Sequence, residues 1–286
     1  AEPEHAMGYY RKLRNPSAFR KLAAAMWKPP NDPHIFGFVD MDATPALELL
    51  ERYNARGEGP RVTITHMVVR ALALLLGRHP EVNAKIGWGS ILQRPRVDIF
   101  CQVSTDSGRD LSGTKLQQVD HLTLAGIAGR LGASAREIRH DRDPSYRRSR
   151  GLFKSLPLWA LRIVLVLLSF LSNRLNLHLP RLGMPRDPFG SAMVTSVGML
   201  GVDSGFAPFT PIARCPIILT VTRIKQRPWV DEAGQVVARP VLRLCGTFDH
   251  RVIDGYHAGK LCGEVEQLFA DPTGLLTEQE QAELAA

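Results

Sequence analysis

Residues 246–255 read Gly-Thr-Phe-Asp-His-Arg-Val-Ile-Asp-Gly, and this stretch decides the fold. The run Val241 to Phe248 that enters it is apolar and β-prone, which predicts a strand. The run that leaves it carries Ala258, Leu261, Cys262, Val265 and Phe269 at helical spacing, which predicts a helix over about 256–270. A strand therefore delivers His250 into a turn, and Asp254-Gly255 follows before the helix begins. Turns between rigid elements are where reactive side chains are presented. Histidine alone titrates near neutrality when unperturbed, so His250 is suited to take and return a proton at pH 7. Asp254 is placed to lock the turn or to hold an arginine that fixes it, and Gly255 allows backbone shapes closed to other residues.

Working outward, helices alternate with strands. Asn15-Pro16-Ser17 marks a helix start, and Pro29-Pro30 its end. Ile35 to Met41 reads as a strand, 44–54 as an amphipathic helix, and 62–80 as a helix apolar almost all round and hence buried. Val97 to Ser104 is expected as a strand and Leu122 to Arg139 as a helix. Strands follow at Met193 to Val197, Ile217 to Ile224 and Val241 to Phe248, the last two joined as a hairpin across Asp231-Glu232-Ala233-Gly234. Helices mixed with antiparallel strands indicate an α/β (α+β) fold, read as one domain over 1–286.

The 286 residues are 44% hydrophobic and 22% charged, an ordinary globular balance that excludes disordered and collagen-like chains. Lys and Arg number 36 against 28 acidic residues, a formal +8 that suits anionic partners without choosing among them. The cysteines at 101, 215, 245 and 262 have no metal-ligand spacing, so they read as free thiols in a reducing cytoplasm and no metal is expected. His66, His79 and His121 lie in or beside helices and read as structural.

The wider context of HRVIDG resembles the chloramphenicol acetyltransferase-like acyltransferases, which include the catalytic domains of the 2-oxo acid dehydrogenase (dihydrolipoamide) acyltransferases. Met193-Val-Thr-Ser-Val-Gly-Met-Leu-Gly201 resembles the T-I-S-N-L-G-M-F-G strand and turn of that family. Residues 208–230 are similar to its next pair of strands, His79-Pro-Glu-Val-Asn-Ala84 to the end of its buried helix, and Arg20-Lys-Leu-Ala with Val39-Asp-Met-Asp42 to its N-terminal helix and first strand. The resemblance implies a two-layer sandwich with a mixed sheet. It implies a coenzyme A-dependent acyltransferase of the 2.3.1 type, moving an acyl group between a CoA thioester and a thiol, hydroxyl or amine, with His250 as general base. Thr195 matches the hydroxyl that stabilises the oxyanion, with Ser196 on the opposite strand face as alternative. Asp254 matches the residue that steadies the histidine loop, often through an arginine placed where Arg20 lies. The implied assembly is a homotrimer, His250 of one chain facing Thr195 of the next, with coenzyme A or acyl-CoA entering between them. Its phosphates then account for the basic excess, and no nucleic acid is expected. The residues that would hold coenzyme A are not identified.

Departures qualify the likeness. No lipoyl or peripheral-subunit-binding sequence is present, so no covalently attached lipoyl group is expected. The chain reads as a stand-alone catalytic domain, and lipoamide as acceptor becomes an alternative, that of a detached complex core. A non-catalytic trimeric scaffold is a further alternative, disfavoured by the joint presence of His250, Asp254 and Thr195. Asp106 to Lys115 replaces the family's usual channel loop. An insert over about 148–190 holds the apolar stretch 155–172, expected as a helix, with Arg147, Arg148, Arg150 and Lys154 before it and Arg174 after it. The elements on either side of the insert must share one sheet, so one crossing of a membrane is excluded, and 173–190 is too polar to return. A helix in a membrane surface, an oligomer contact and a lid over an acyl site remain open, which makes the chain cytoplasmic with membrane association as an option.

Overall fold

The computed structural model describes residues 33–57, 59–87, 90–105, 110–139, 187–209 and 213–285, with eight positions between 157 and 171. Residues 34–286 pack as one compact unit. The helix expected from Asn15, and Arg20 within it, lie outside the described residues.

Strand β1 (His34–Asp42) leads into helix α1 (Thr44–Ala55), whose start is held by Asp42 Oδ1 accepting the Thr44 N–H at 2.8 Å. Helix α2 (Ile64–Arg78) follows, then a small hairpin of β2 (Ala84–Gly87) and β3 (Ser90–Gln93). Next come β4 (Ile99–Thr105), β5 (Asp110–Leu116) and α3 (Leu124–Arg139). The second half holds β6 (Ala192–Ser196), β7 (Ile217–Val221), β8 (Lys225–Val230), β9 (Val236–Asp249), α4 (Gly255–Ala270) and α5 (Glu278–Ala285). One mixed sheet runs in the order β1-β9-β7-β6-β4-β5, with β8 also paired to β9. The two parallel pairings, β4 with β6 and β6 with β7, make the sheet mixed as expected.

Alternation sorts the two faces. Ala192, Val194, Ile217, Leu219, Leu242, Leu244 and Phe248 join one core with the apolar sides of α1 to α4. The residues between them point to the other face, where Met193 and Ile218 pack with Cys215 and Ala213. The result is a two-layer sandwich, with helices α1 to α4 packed on one side of the sheet. Buried Glu280 of α5 ties the helical layer together, its Oε1 accepting the Tyr53 hydroxyl at 2.7 Å and the Leu124 N–H at 3.0 Å.

Several boundaries differ from the expectations. The apolar run at 217–224 breaks after Val221, so the turn at Asp231 to Gly234 closes a hairpin of β8 with β9. Gly234 supplies the positive φ of 75° that this turn needs. The replacement for the channel loop is in part a strand, since Asp110 to Lys115 lies in β5 and pairs with β4. Of the stretch 155–172, the described Ala160, Ile163, Val164, Val166 and Leu167 are helical; the rest of the expected helix lies largely outside the described residues. Among the described residues no helix is long and apolar enough to cross a membrane.

The chain enters β6 through a latch. Arg94, 8% exposed, holds both carboxylate oxygens of Asp187 at 2.6 and 3.2 Å and also donates to the Ala84 and Arg214 carbonyls. Burial raises the Asp187 carboxyl, but Arg94 outweighs it and holds it below the ordinary range. Gly190 then passes so close to Asp98 that a Cβ there would lie 2.5 Å from its carbonyl oxygen.

Candidate active site

β9 ends by tying itself to the start of β7, Asp249 N–H donating to the Pro216 carbonyl at 2.9 Å. The Asp249 carbonyl then accepts the N–H groups of Val252 and Ile253, closing the turn that lifts His250 to the surface. Asp249 also grips Arg251, whose Nε and Nη2 reach its two oxygens at 2.9 and 2.6 Å. Burial raises the Asp249 carboxyl, but Arg251 and its N–H lower it more. Ile253, fully buried, anchors the far side of the turn.

His250 Nδ1 lies 3.2 Å from the Ile253 carbonyl oxygen. A carbonyl can only accept, so Nδ1 carries the proton and donates, and Nε2 is left with its lone pair free. That is the tautomer a general base needs. Among the described residues Asp254 caps α4, Oδ1 accepting the His257 N–H at 3.0 Å and approaching His257 Nδ1 at 2.7 Å. That N–H, then the ring of His257, hold the Asp254 carboxyl below its ordinary value. Gly255 is the first helical residue and does not use a positive φ, so a glycine's freedom is not what this position requires. The turn is held by Asp249, Ile253 and the cap instead.

Thr195 and Ser196 close β6 on opposite faces. Ser196 points to the helical layer, where its Oγ accepts from the Thr65 hydroxyl of α2 at 3.4 Å. Thr195 points to the other face, 8% exposed. It stands in register with Thr220 of β7, which stands in register with Cys245 of β9. His250 is five residues beyond Cys245, so it lies about 17 Å further along the strand direction, and two strands to the side. One chain therefore does not bring His250 and Thr195 together; it carries them at opposite ends of the sheet.

Of the other histidines, His79 bonds Glu264 through Nε2 at 2.6 Å, His66 Nδ1 accepts the Thr63 N–H at 3.0 Å, and His121 is exposed beside Asp120. All three serve structure or solvent, as their positions suggested. Among the described residues no three His, Cys, Asp or Glu side chains converge on a metal site. Two features near these residues carried no signal in the motif spacing. The Asp249–Arg251 grip lies inside the quoted motif, where only the spacing of His250 to Asp254 drew attention. Thr220 sits in an apolar strand, marked only by the polar alternation of Ile-Leu-Thr-Val-Thr.

Helices packed on one face of a mixed sheet, with a His-x-x-x-Asp-Gly turn joining the strand to the helix, have the form that the acyltransferase resemblance implied. The chain belongs to the family described as 2-oxoacid dehydrogenases acyltransferase (catalytic domain), which it matches over residues 14–144 and 189–277. It is 27% identical over 246 residues to the dihydrolipoyllysine-residue succinyltransferase component of the 2-oxoglutarate dehydrogenase complex of Haemophilus influenzae, a match covering 84% of this chain and 49% of that protein. The chain spans about half the length of the curated relatives it matches. The cubic core of the pyruvate dehydrogenase multienzyme complex superposes with a TM-score of 0.63 at 19% identity, over 96% of this chain and 98% of that one. The Azotobacter vinelandii dihydrolipoamide acetyltransferase, investigated for the catalytic role of a serine, a histidine and an asparagine, superposes at 0.62 and 19% identity over the same shares, 96% and 98%.

Proposed function

We propose that the chain is the catalytic domain of a coenzyme A-dependent acyltransferase, exchanging an acyl group between a CoA thioester and a second thiol such as dihydrolipoamide. The observation that carries it is the Nδ1 contact to the Ile253 carbonyl, which leaves Nε2 of the exposed His250 to act as base. Nε2 takes the proton of the attacking thiol. The thiolate adds to the thioester carbonyl, and the resulting oxyanion accepts the Thr195 O–H of a neighbouring chain. When the intermediate collapses, the departing sulfur recovers the proton from Nε2. Asp254 positions the turn by capping α4. The Azotobacter protein's histidine and asparagine share the four-residue spacing of His250 and Asp254.

The opposite placement of His250 and Thr195 supports a site made between chains, and thus a homo-oligomer, for which the family resemblance implies a trimer. Residues 145–188 fall outside the family match and form an insert within one catalytic domain. There Ile163, Val166, Leu167 and Phe170, spaced as one face of a helix, are each at least 50% exposed. With the basic residues around them they support contact with an anionic membrane surface. Cys101, Cys215, Cys245 and Cys262 are free, in keeping with a reducing cytoplasm.

The test is acyl exchange between acetyl- or succinyl-CoA and free dihydrolipoamide. His250→Ala is expected to lower the rate about 100-fold or more, in the range typical of a lost general base. An unchanged rate rejects the assignment.

A further inference from the structure

Thr220 is 3% exposed, and among the described residues its hydroxyl has no hydrogen-bond partner. Buried hydroxyls are seldom left so, because the water they have lost is not replaced. Neighbouring hydroxyls on the same sheet face follow the rule: Thr222 donates to the Arg243 carbonyl at 2.6 Å, and Thr247 to the Ala207 carbonyl at 2.8 Å. Thr195, whose hydroxyl is not fully buried, also makes no hydrogen bond among the described residues. The two threonines are register partners on adjacent strands, about 4.8 Å apart and facing the same way. Thr195 is the more exposed of the two, so it is the one that reaches a ligand, with Thr220 beside and beneath it.

We propose that Thr220 is a positioning residue for Thr195: its hydroxyl donates to Thr195 Oγ1 while Thr195 gives its own proton to an oxygen of the bound acyl group. This rests on the acyltransferase reading above. A hydroxyl has one proton and two lone pairs, so Thr195 can donate forward and accept from behind at once. The bond from Thr220 fixes which way the Thr195 proton points, and polarises it further. No atom changes owner. Among the described residues the pair is unbonded, and it is completed by a staggered rotation about χ1 when the ligand arrives.

The experiment is a double-mutant cycle on the exchange reaction. Thr220→Val keeps the shape and removes the hydroxyl; it is expected to lower kcat about tenfold with KM for acyl-CoA unchanged. Thr220→Ser is expected to restore kcat to within about twofold, and to serve as the readout if the valine variant does not fold. In a Thr195→Ala background, Thr220→Val is expected to cost nothing further. Wild-type kcat in Thr220→Val beside an impaired Thr195→Ala overturns the proposal and leaves the acyltransferase reading standing. Losses that multiply in the double variant overturn it too, because Thr220 then acts without Thr195. If His250→Ala and Thr195→Ala both keep the wild-type rate, it is the acyltransferase reading itself that fails.

Discussion

His66 accepts the Thr63 N–H with an unprotonated Nδ1, and burial pushes its imidazole down from 6.5 to about 4. The unfolded chain therefore binds a proton at higher pH than the folded one does. Stability from this residue is complete above pH 6.5 and is lost as pH falls from there towards 4, by at most about 3 kcal/mol. Urea midpoints measured across that window are expected to decline, and His66→Gln, which keeps an acceptor for Thr63, is expected to flatten the decline. A slope unchanged by the substitution removes His66 as its source. At this scale the sequence spoke clearly where chemistry is local. His250 was legible because a strand, a turn and a helix start are encoded in consecutive residues. Asp254 was legible as a turn-fixing residue, but its partner was not: a cap three residues away competes with a distant arginine, and spacing alone favours neither. Thr220 was illegible because its missing partner is a property of three strands in register.

At the scale of elements, β9 is the organiser, pairing with β1, β7 and β8 along its length. Its apolar residues made it visible, as the all-round apolar pattern made α2 visible. β2, β3 and β5 were missed because Ala-Lys-Ile-Gly, Ser-Ile-Leu-Gln and Asp-Leu-Ser-Gly-Thr-Lys-Leu lack a sustained apolar alternation. Edge strands of this kind are set by what they pair with rather than by their own propensity. The insert makes the opposite case, a stretch conspicuous in sequence and foreign to the family match. Flotation with phosphatidylcholine–phosphatidylserine vesicles is expected for the intact protein. Replacing Ile163, Val166, Leu167 and Phe170 by Ser is expected to abolish it. Equal flotation of the two proteins eliminates the lipid contact.

On the proposed reading, the whole molecule is half of two different sites, His250 carrying the base to one and Thr195 the hydroxyl to the other. Mixing His250→Ala with Thr195→Ala chains in equal amounts, by unfolding and reassembly, should rebuild intact sites wherever an unmutated histidine meets an unmutated threonine. Random assembly in a closed ring predicts about a quarter of wild-type activity. Each variant alone should show almost none. Activity no greater than the sum of the two separate preparations places both groups in one chain after all. This division was legible only through the resemblance; period-two patterns assign a face but not an end of a sheet. The latch of Arg94 on Asp187, with Gly190 pressed on Asp98, fixes the point at which the insert rejoins the sheet. Lengthening a closed loop costs little, since the entropy grows only with the logarithm of its length. A clamped exit thus turns the span between α3 and β6 into a socket: successive generations could lengthen, shorten or exchange the cargo there without retuning the strand that carries Thr195.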